Sequence, residues 1–85
     1  MKKVKIYFSE YCPYCKSVEA LMKKKNISFE KIDVDSDISL RQEMLEISGR
    51  TSVPQVFVND LHLGGCDDVY DLENKGKLDS LIFKN

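Results

Sequence analysis

Between positions 4 and 8 the chain is almost continuously apolar (Val4, Ile6, Tyr7, Phe8), the pattern of a largely buried strand. Over 13 to about 25 the period lengthens. Val18, Leu21, Met22 and Lys25 then fall on one face at helical spacing. Pro13 suits the first turn of that helix, where its missing N–H is no loss, and Asn26 is a stop. Residues 27–34 predict a second strand, with Phe29, Ile32 and Val34 partly alternating. Residues 38–48 predict a second helix, with Leu40, Met44, Leu45 and Ser48 on one face and Gly49 as its C-terminal signal. Two short strands, 55–58 and 61–63, flank Asn59-Asp60, a turn-prone pair, and predict a hairpin. Gly64-Gly65 breaks the last strand. Asp67 is then expected to cap a helix running to about Asn74, which Gly76 ends, and Leu78, Leu81 and Ile82 suit a last short helical turn.

The order β-α-β-α-β-β-α predicts an α/β fold in which helices flank a mixed, four-stranded sheet. Its first half is a parallel βαβ unit that needs a right-handed crossover, and its second half adds the hairpin. The 85 residues show no repeat, linker or low-complexity segment, and a single domain spanning 1–85 is expected.

Composition narrows the classes. A hydrophobic content of 42% fits a globular chain rather than a disordered one. No apolar run approaches the roughly 20 residues of a membrane span, and no signal-peptide pattern precedes the first strand. A cytoplasmic protein is expected, with no membrane partner. Net charge is −1, and Lys23-Lys24-Lys25 is the one basic run, so nucleic acid is not an expected partner. That run falls where the first helix should end and would offset the negative helix terminus.

In a reducing compartment three cysteines do not form a structural disulfide framework, so catalysis or metal binding has to be weighed. Cys12-Pro13-Tyr14-Cys15 follows the first strand. With a helix starting at Pro13, Cys12 is the N-cap. Its sulfur then faces unsatisfied N–H groups and the positive end of the helix dipole. Both favour thiolate, the nucleophilic form. Cys15, one turn on, can close a disulfide with Cys12, and the pair reads as apparatus for thiol–disulfide exchange. The other reading is half a zinc site. A closed site needs four ligands, typically from two such pairs, and only His62 and Cys66 remain, with no second pair; no metal is therefore expected.

Two further stretches suit substrate binding. Thr51-Ser52-Val53-Pro54 places a proline directly before a strand. It either just starts an edge strand or forms a cis bond that turns the Val53 N–H and C=O toward Cys12, where an extended peptide can pair with them. Gly64-Gly65-Cys66-Asp67-Asp68 lets the backbone turn tightly and lets a ligand approach a helix N-terminus, whose free N–H groups suit a carboxylate. Asp67 can cap with one oxygen and accept from an ammonium group with the other. Cys66 reads as a small, semi-buried residue whose N–H matters more than its sulfur, or else as an accessory thiol. His62 is expected to face outward from the hairpin.

Taken together, Cys12-Pro13-Tyr14-Cys15, the run from Ser48 to Gln55 and the run from Gly64 to Asp68 resemble the glutaredoxins, in particular their small bacterial dithiol type, over nearly the whole chain. The resemblance implies a thioredoxin fold with Val53–Pro54 cis. It implies a glutathione-dependent thiol–disulfide oxidoreductase with Cys12 and Cys15 as catalytic residues. Glutathione would be a cosubstrate rather than a tightly bound cofactor, and Tyr14, Thr51, Val53, Pro54, Gly65, Cys66 and Asp67 would bind it. Protein partners would be disulfide-bearing or glutathionylated proteins, ribonucleotide reductase among them, and a monomer is expected. Family members often carry a lysine three residues before the first cysteine, where it meets the glycyl carboxylate of glutathione. This chain has Ser9, with Lys16 and Arg50 the nearest basic residues. Two other readings stay beside this one. One is an iron–sulfur-binding glutaredoxin, a group that more often carries Cys-Gly-Phe-Ser. The other is a redoxin electron donor reduced by a flavoprotein thioredoxin reductase.

Overall fold

The computed structural model describes residues 1–84. Eight elements follow in the order β1 (Val4–Phe8), α1 (Pro13–Lys24), β2 (Glu30–Asp33), α2 (Ile38–Ser48), β3 (Gln55–Val58), β4 (Leu61–Gly64), α3 (Cys66–Asn74) and α4 (Leu78–Phe83). The sheet order is β2-β1-β3-β4. β1 runs parallel to β2 and antiparallel to β3, which is antiparallel to β4. This is the mixed four-stranded sheet expected, and it has the thioredoxin fold.

Alternation along β1 and β3 divides the interior in two. Val4, Ile6 and Phe8 of β1 and Val56 and Val58 of β3 meet Cys15, Val18, Leu21 and Met22 of α1, Val69 of α3, and Leu78 and Ile82 of α4. On the other face Tyr7 and Phe57 form a smaller cluster with Val34 and Met44, beneath α2. The α2 face is correspondingly thin. Of the expected stripe Leu40, Met44, Leu45 and Ser48, only Met44 is buried, because the patch it covers is only two aromatic side chains wide.

The second strand is shorter than the pattern over 27–34 predicts. α1 closes in a Schellman turn: Asn26 takes a left-handed φ of 60°, its N–H donates to Lys23 O, and the Ile27 N–H donates to Met22 O. Ile27 is buried beside Met22, the hydrophobic contact that accompanies this motif, so its apolar side chain serves the helix end instead of a strand. At the other end Val34 lies one residue past β2, though its N–H still donates to Phe8 O at 3.0 Å.

Lys25 corrects the expectation that the lysine run merely offsets the helix terminus. Its Nζ bridges Glu73 at 2.8 Å and Asp79 at 3.0 Å, joining the end of α1 to α3 and to the start of α4. Leu78 and Ile82 then complete the larger cluster, and the Lys2 N–H donates to Ile82 O.

Removing apolar volume from this fully enclosed contact should be costly. Ile82→Ala is expected to lower the unfolding free energy by about 2–5 kcal/mol. Ile38→Ala, at a side chain 86% exposed, should change it by no more than about 0.5 kcal/mol. Urea denaturation of both variants checks this. Equal losses would mean that α4 is not part of the cooperative core.

Candidate active site

Cys12 is the N-cap of α1, in extended conformation, with Pro13 in the first turn. Its Sγ accepts a hydrogen bond from the Cys15 N–H at 3.3 Å, so the sulfur satisfies a backbone donor that the helix itself leaves open. All three cysteines are free thiols. Cys12 and Cys66 are half-buried, whereas Cys15 is 1% exposed. Burial, then the neighbouring Cys12 sulfur, pushes the Cys15 thiol up to about 12. Cys15 is therefore protonated at neutral pH and enclosed, whereas the Cys12 sulfur is partly exposed.

The loop between α2 and β3 faces this sulfur. Its Val53–Pro54 bond is cis, as the family resemblance implies. The Cys12 thiol donates to Val53 O at 3.5 Å. A groove of about 400 Å³ is lined by Tyr14, Val53, Pro54, Gly65, Cys66 and Asp67, together with Arg50, Ser52, Gln55 and Asp68. Six of the seven residues expected to bind substrate thus share one concavity. Thr51 is outside this lining. It borders a smaller depression with Ile38 and Leu45, and its carbonyl accepts from Arg41 at 3.4 Å.

The far wall of the groove is the start of α3. Gly64 has a φ of 114°, which an L side chain rarely adopts. A Cβ there would also lie 2.2 Å from Asp68 Oδ2, so the space is already used by that carboxylate. Asp68 is the residue that closes the helix end: its Oδ2 accepts from the Gly65 N–H at 2.9 Å and pairs with Arg50 Nη1 at 2.9 Å. This corrects the expectation for Asp67. Gly65 is the N-cap, Asp68 reaches back to it from the third helical position, and Asp67 is left exposed in the first turn, along the groove.

Cys66 is half-buried in the groove wall, and burial, then the nearby Asp67 charge, raises its thiol above the ordinary value. His62 does not face outward. It pairs with Phe57 across a β-bulge, stacks on that ring at 4.8 Å and bonds Gln55 Oε1 at 2.7 Å. Ser9 Oγ donates to Asp35 Oδ2, and Asp35 Oδ1 in turn pairs with Arg41 at 2.8 Å. Lys16 is exposed. Among the described residues no group of three or more His, Cys, Asp or Glu side chains is arranged to hold a metal ion. Ser52 and Gln55 are groove residues that sequence reasoning missed. The one available signal was their place on either side of Val53-Pro54.

A dithiol at the N-terminus of the first helix, facing a cis-proline loop on a mixed sheet, defines a thiol–disulfide oxidoreductase of the thioredoxin fold. The glutaredoxin family model matches residues 4–63. Glutaredoxin 3 of Escherichia coli (strain K12) is 46% identical over 82 residues, covering 96% of this chain and 99% of that protein. The solution structure of glutaredoxin from Brucella melitensis superposes with a TM-score of 0.86 at 49% identity, covering 96% of this chain and 89% of that one. A buckwheat glutaredoxin–glutathione complex gives 0.87 at 28% identity, covering 93% and 74%. The chain belongs to the glutaredoxin family, the glutathione-dependent thiol–disulfide oxidoreductases.

The Arg50 guanidinium and then the Gly65 N–H hold the Asp68 carboxyl below the usual carboxylate range. A depressed carboxyl stabilises the fold above its unfolded pKa, and that contribution is lost as pH falls through the folded value. Asp68→Ala is expected to cost about 1 kcal/mol at neutral pH. The gap to the parent should close below about pH 4, where the unfolded carboxyl is itself protonated. Thermal melts of both proteins from neutral to acid pH test this, and a gap independent of pH would mean that the carboxylate is not its source.

Proposed function

We propose that Cys12 is the attacking thiol, that Cys15 resolves, and that the groove beside them receives glutathione. The carrying observation is the 3.5 Å contact between Cys12 Sγ and Val53 O, which places the nucleophile at the mouth of the groove. In the reaction the Cys12 thiolate attacks one sulfur of a substrate disulfide. The S–S bond breaks, and the departing thiolate takes up a proton. Cys15, on losing its proton, attacks Cys12 Sγ and expels the second substrate thiol, leaving a Cys12–Cys15 disulfide. Two glutathione molecules then supply two electrons. The first attacks Cys12 and frees Cys15, and the second releases glutathione disulfide and restores the dithiol.

Bound glutathione would run along Val53, whose C=O is released by the Cys12 thiol once Cys12 forms a disulfide and can then accept from a peptide N–H. Its γ-glutamyl carboxylate suits the N–H groups that open α3, and its ammonium suits exposed Asp67. Tyr14, Pro54, Gly65 and Cys66 line the remaining wall, and Thr51 lies outside it, in the neighbouring depression on the α2 side. A buckwheat glutaredoxin of the same fold solved as a glutathione complex supports glutathione as the ligand. No helix of the described chain is long and apolar enough to cross a membrane. Similarity to bacterial glutaredoxin 3 supports a cytoplasmic setting. There a monomer would act on disulfide-bearing or glutathionylated proteins, with ribonucleotide reductase one candidate.

The roles separate in two variants. Cys12→Ser should lose all exchange, while Cys15→Ser should keep removing glutathione from a glutathionylated small thiol but fail on a protein disulfide that needs the second cysteine. Activity assays with both substrates decide, and exchange by Cys12→Ser would overturn the assignment.

The absent lysine has a structural answer of its own. A lysine at position 9 would meet Asp35, the present partner of Ser9, before any ligand. Ser9→Lys alone should therefore leave the apparent KM for glutathione nearly unchanged. Combined with Asp35→Asn it should lower that KM, and the gain should shrink as salt rises. An equal fall in the single and double variants, measured at low and high ionic strength, would show that Asp35 does not intercept the charge.

A further inference from the structure

We infer that Gln55 is a positioning residue for the groove, that its amide is held in one orientation by His62, and that the pair aims the Val53 N–H at the substrate. The inference rests on the reading of this groove as the glutathione site. Gln55 is the one buried polar residue among those described, 1% exposed, at the first position of β3. A buried amide left without partners costs free energy, and this one has a partner for each end. Its Nε2 donates to Ser52 O at 3.0 Å and reaches Ser52 Oγ at 3.5 Å, while its Oε1 faces His62 Nε2 at 2.7 Å.

The orientation of that amide follows from its neighbours. Ser52 O is a carbonyl and only accepts, so the NH2 end of Gln55 must point to it. Oε1 is then left for His62, which must donate from Nε2. Phe57 fixes the imidazole from one side by stacking at 4.8 Å. The bulge between Val56 and Phe57 brings His62 opposite Phe57 and so onto the sheet face that Gln55 shares. Burial, then the Arg50 charge, holds the imidazole below its ordinary value. The neutral Nε2–H form and the cation both donate from Nε2, so the link does not depend on that titration.

The consequence lies one bond further on. Ser52 C=O and Val53 N–H belong to the same planar trans peptide and point in opposite directions. Drawing the carbonyl inward to Gln55 turns the N–H outward. With Val53 C=O already at Cys12, the residue then presents donor and acceptor in the arrangement an extended peptide needs. Gly65 reinforces this from the far wall: a Cβ there would lie 3.3 Å from Pro54 O and 3.9 Å from Gln55 Nε2. Gln55 touches no reacting atom. It acts through the Ser52–Val53 peptide.

Four variants test this. Gln55→Leu removes the donor, Gln55→Glu sets an acceptor against Ser52 O, His62→Phe keeps the stack without the donor, and His62→Gln restores an amide N–H at similar reach. The first three should raise the apparent KM for glutathione about three- to tenfold, the size of one ordinary hydrogen bond. Turnover at saturating glutathione and the alkylation rate of Cys12 should change little, and His62→Gln should recover most of the parental KM. In parallel, the Ser52 carbonyl carbon resonance should move upfield in Gln55→Leu and His62→Phe and stay in place in His62→Gln. An unmoved Ser52 resonance, or a KM unchanged while the parent saturates with glutathione, overturns the positioning role. A parent that never saturates with glutathione instead overturns the glutathione reading, and the Ser52 resonance still decides whether Gln55 holds the loop.

Discussion

The hydrogen bond from the Cys15 N–H to Cys12 Sγ places a sulfur where a helix N-cap oxygen would ordinarily be. Everything else in the site follows from holding that sulfur against the cis-proline loop. The helix must start at Pro13, directly after the turn leaving β1, so that Cys12 caps it. The helix must also be fixed along its length. Val18, Leu21 and Met22 do this by burial against β1 and β3, and Lys25 does it by tying the far end of α1 to α3 and α4. The sulfur position is thus set by a core cluster and an ion-paired terminus, neither of which lines the groove.

The two faces of the sheet share this work unequally. The larger cluster carries α1, α3 and α4 and so positions both the Cys12 sulfur and the helix that opens the far wall of the groove. The smaller cluster, under α2, has four buried residues, yet the loop that faces Cys12 leaves from this side. Thin apolar packing there is supplemented by polar links. Tyr7 donates to Glu43 at 2.7 Å, and the Tyr7 hydroxyl is held above its ordinary value, by burial first and then by that carboxylate. Arg41 joins Asp35 to the Thr51 carbonyl, and Gln55 joins His62 to Ser52. A loop fixed by directional bonds rather than by bulk keeps the peptide orientation that strand-like recognition of a ligand requires.

What could be seen in the sequence tracks how local the cause is. β1, α1, α2 and the hairpin followed from periodicity and end signals, because each is decided within one element and its caps. Ile27 misled because an apolar residue just after a helix can serve the closing turn or the next strand, and only the left-handed Asn26 distinguishes them. Asp67 and Asp68 are chemically identical neighbours. Which one reaches back depends on the path of Gly64, whose missing side chain leaves room for Asp68. The dithiol and the glycine pair were legible as chemistry, while the cis bond at Val53–Pro54 was legible only through family likeness. The Gln55–His62 pair was not legible at all: it needs a bulge that sets His62 opposite Phe57, a property of pairing between strands rather than of either strand.

The difference between the two active-site thiols also orders the proposed steps in time. Burial is the largest reason that Cys15 holds its proton, and the Cys12 sulfur adds to it by hydrogen bonding and by charge. Glu19 raises it further, and the Ser9 backbone opposes. Once Cys12 is joined to a substrate sulfur it has no proton to lose and can place no charge beside Cys15, while the Ser9 contribution remains. In the proposed sequence Cys15 is therefore easier to ionise once the mixed disulfide exists, the stage at which it would resolve, than while Cys12 is free. Burial persists through both stages and keeps bulky external disulfides away from Cys15. The enclosure that makes it a poor first nucleophile thus also reserves it for the sulfur one helical turn away.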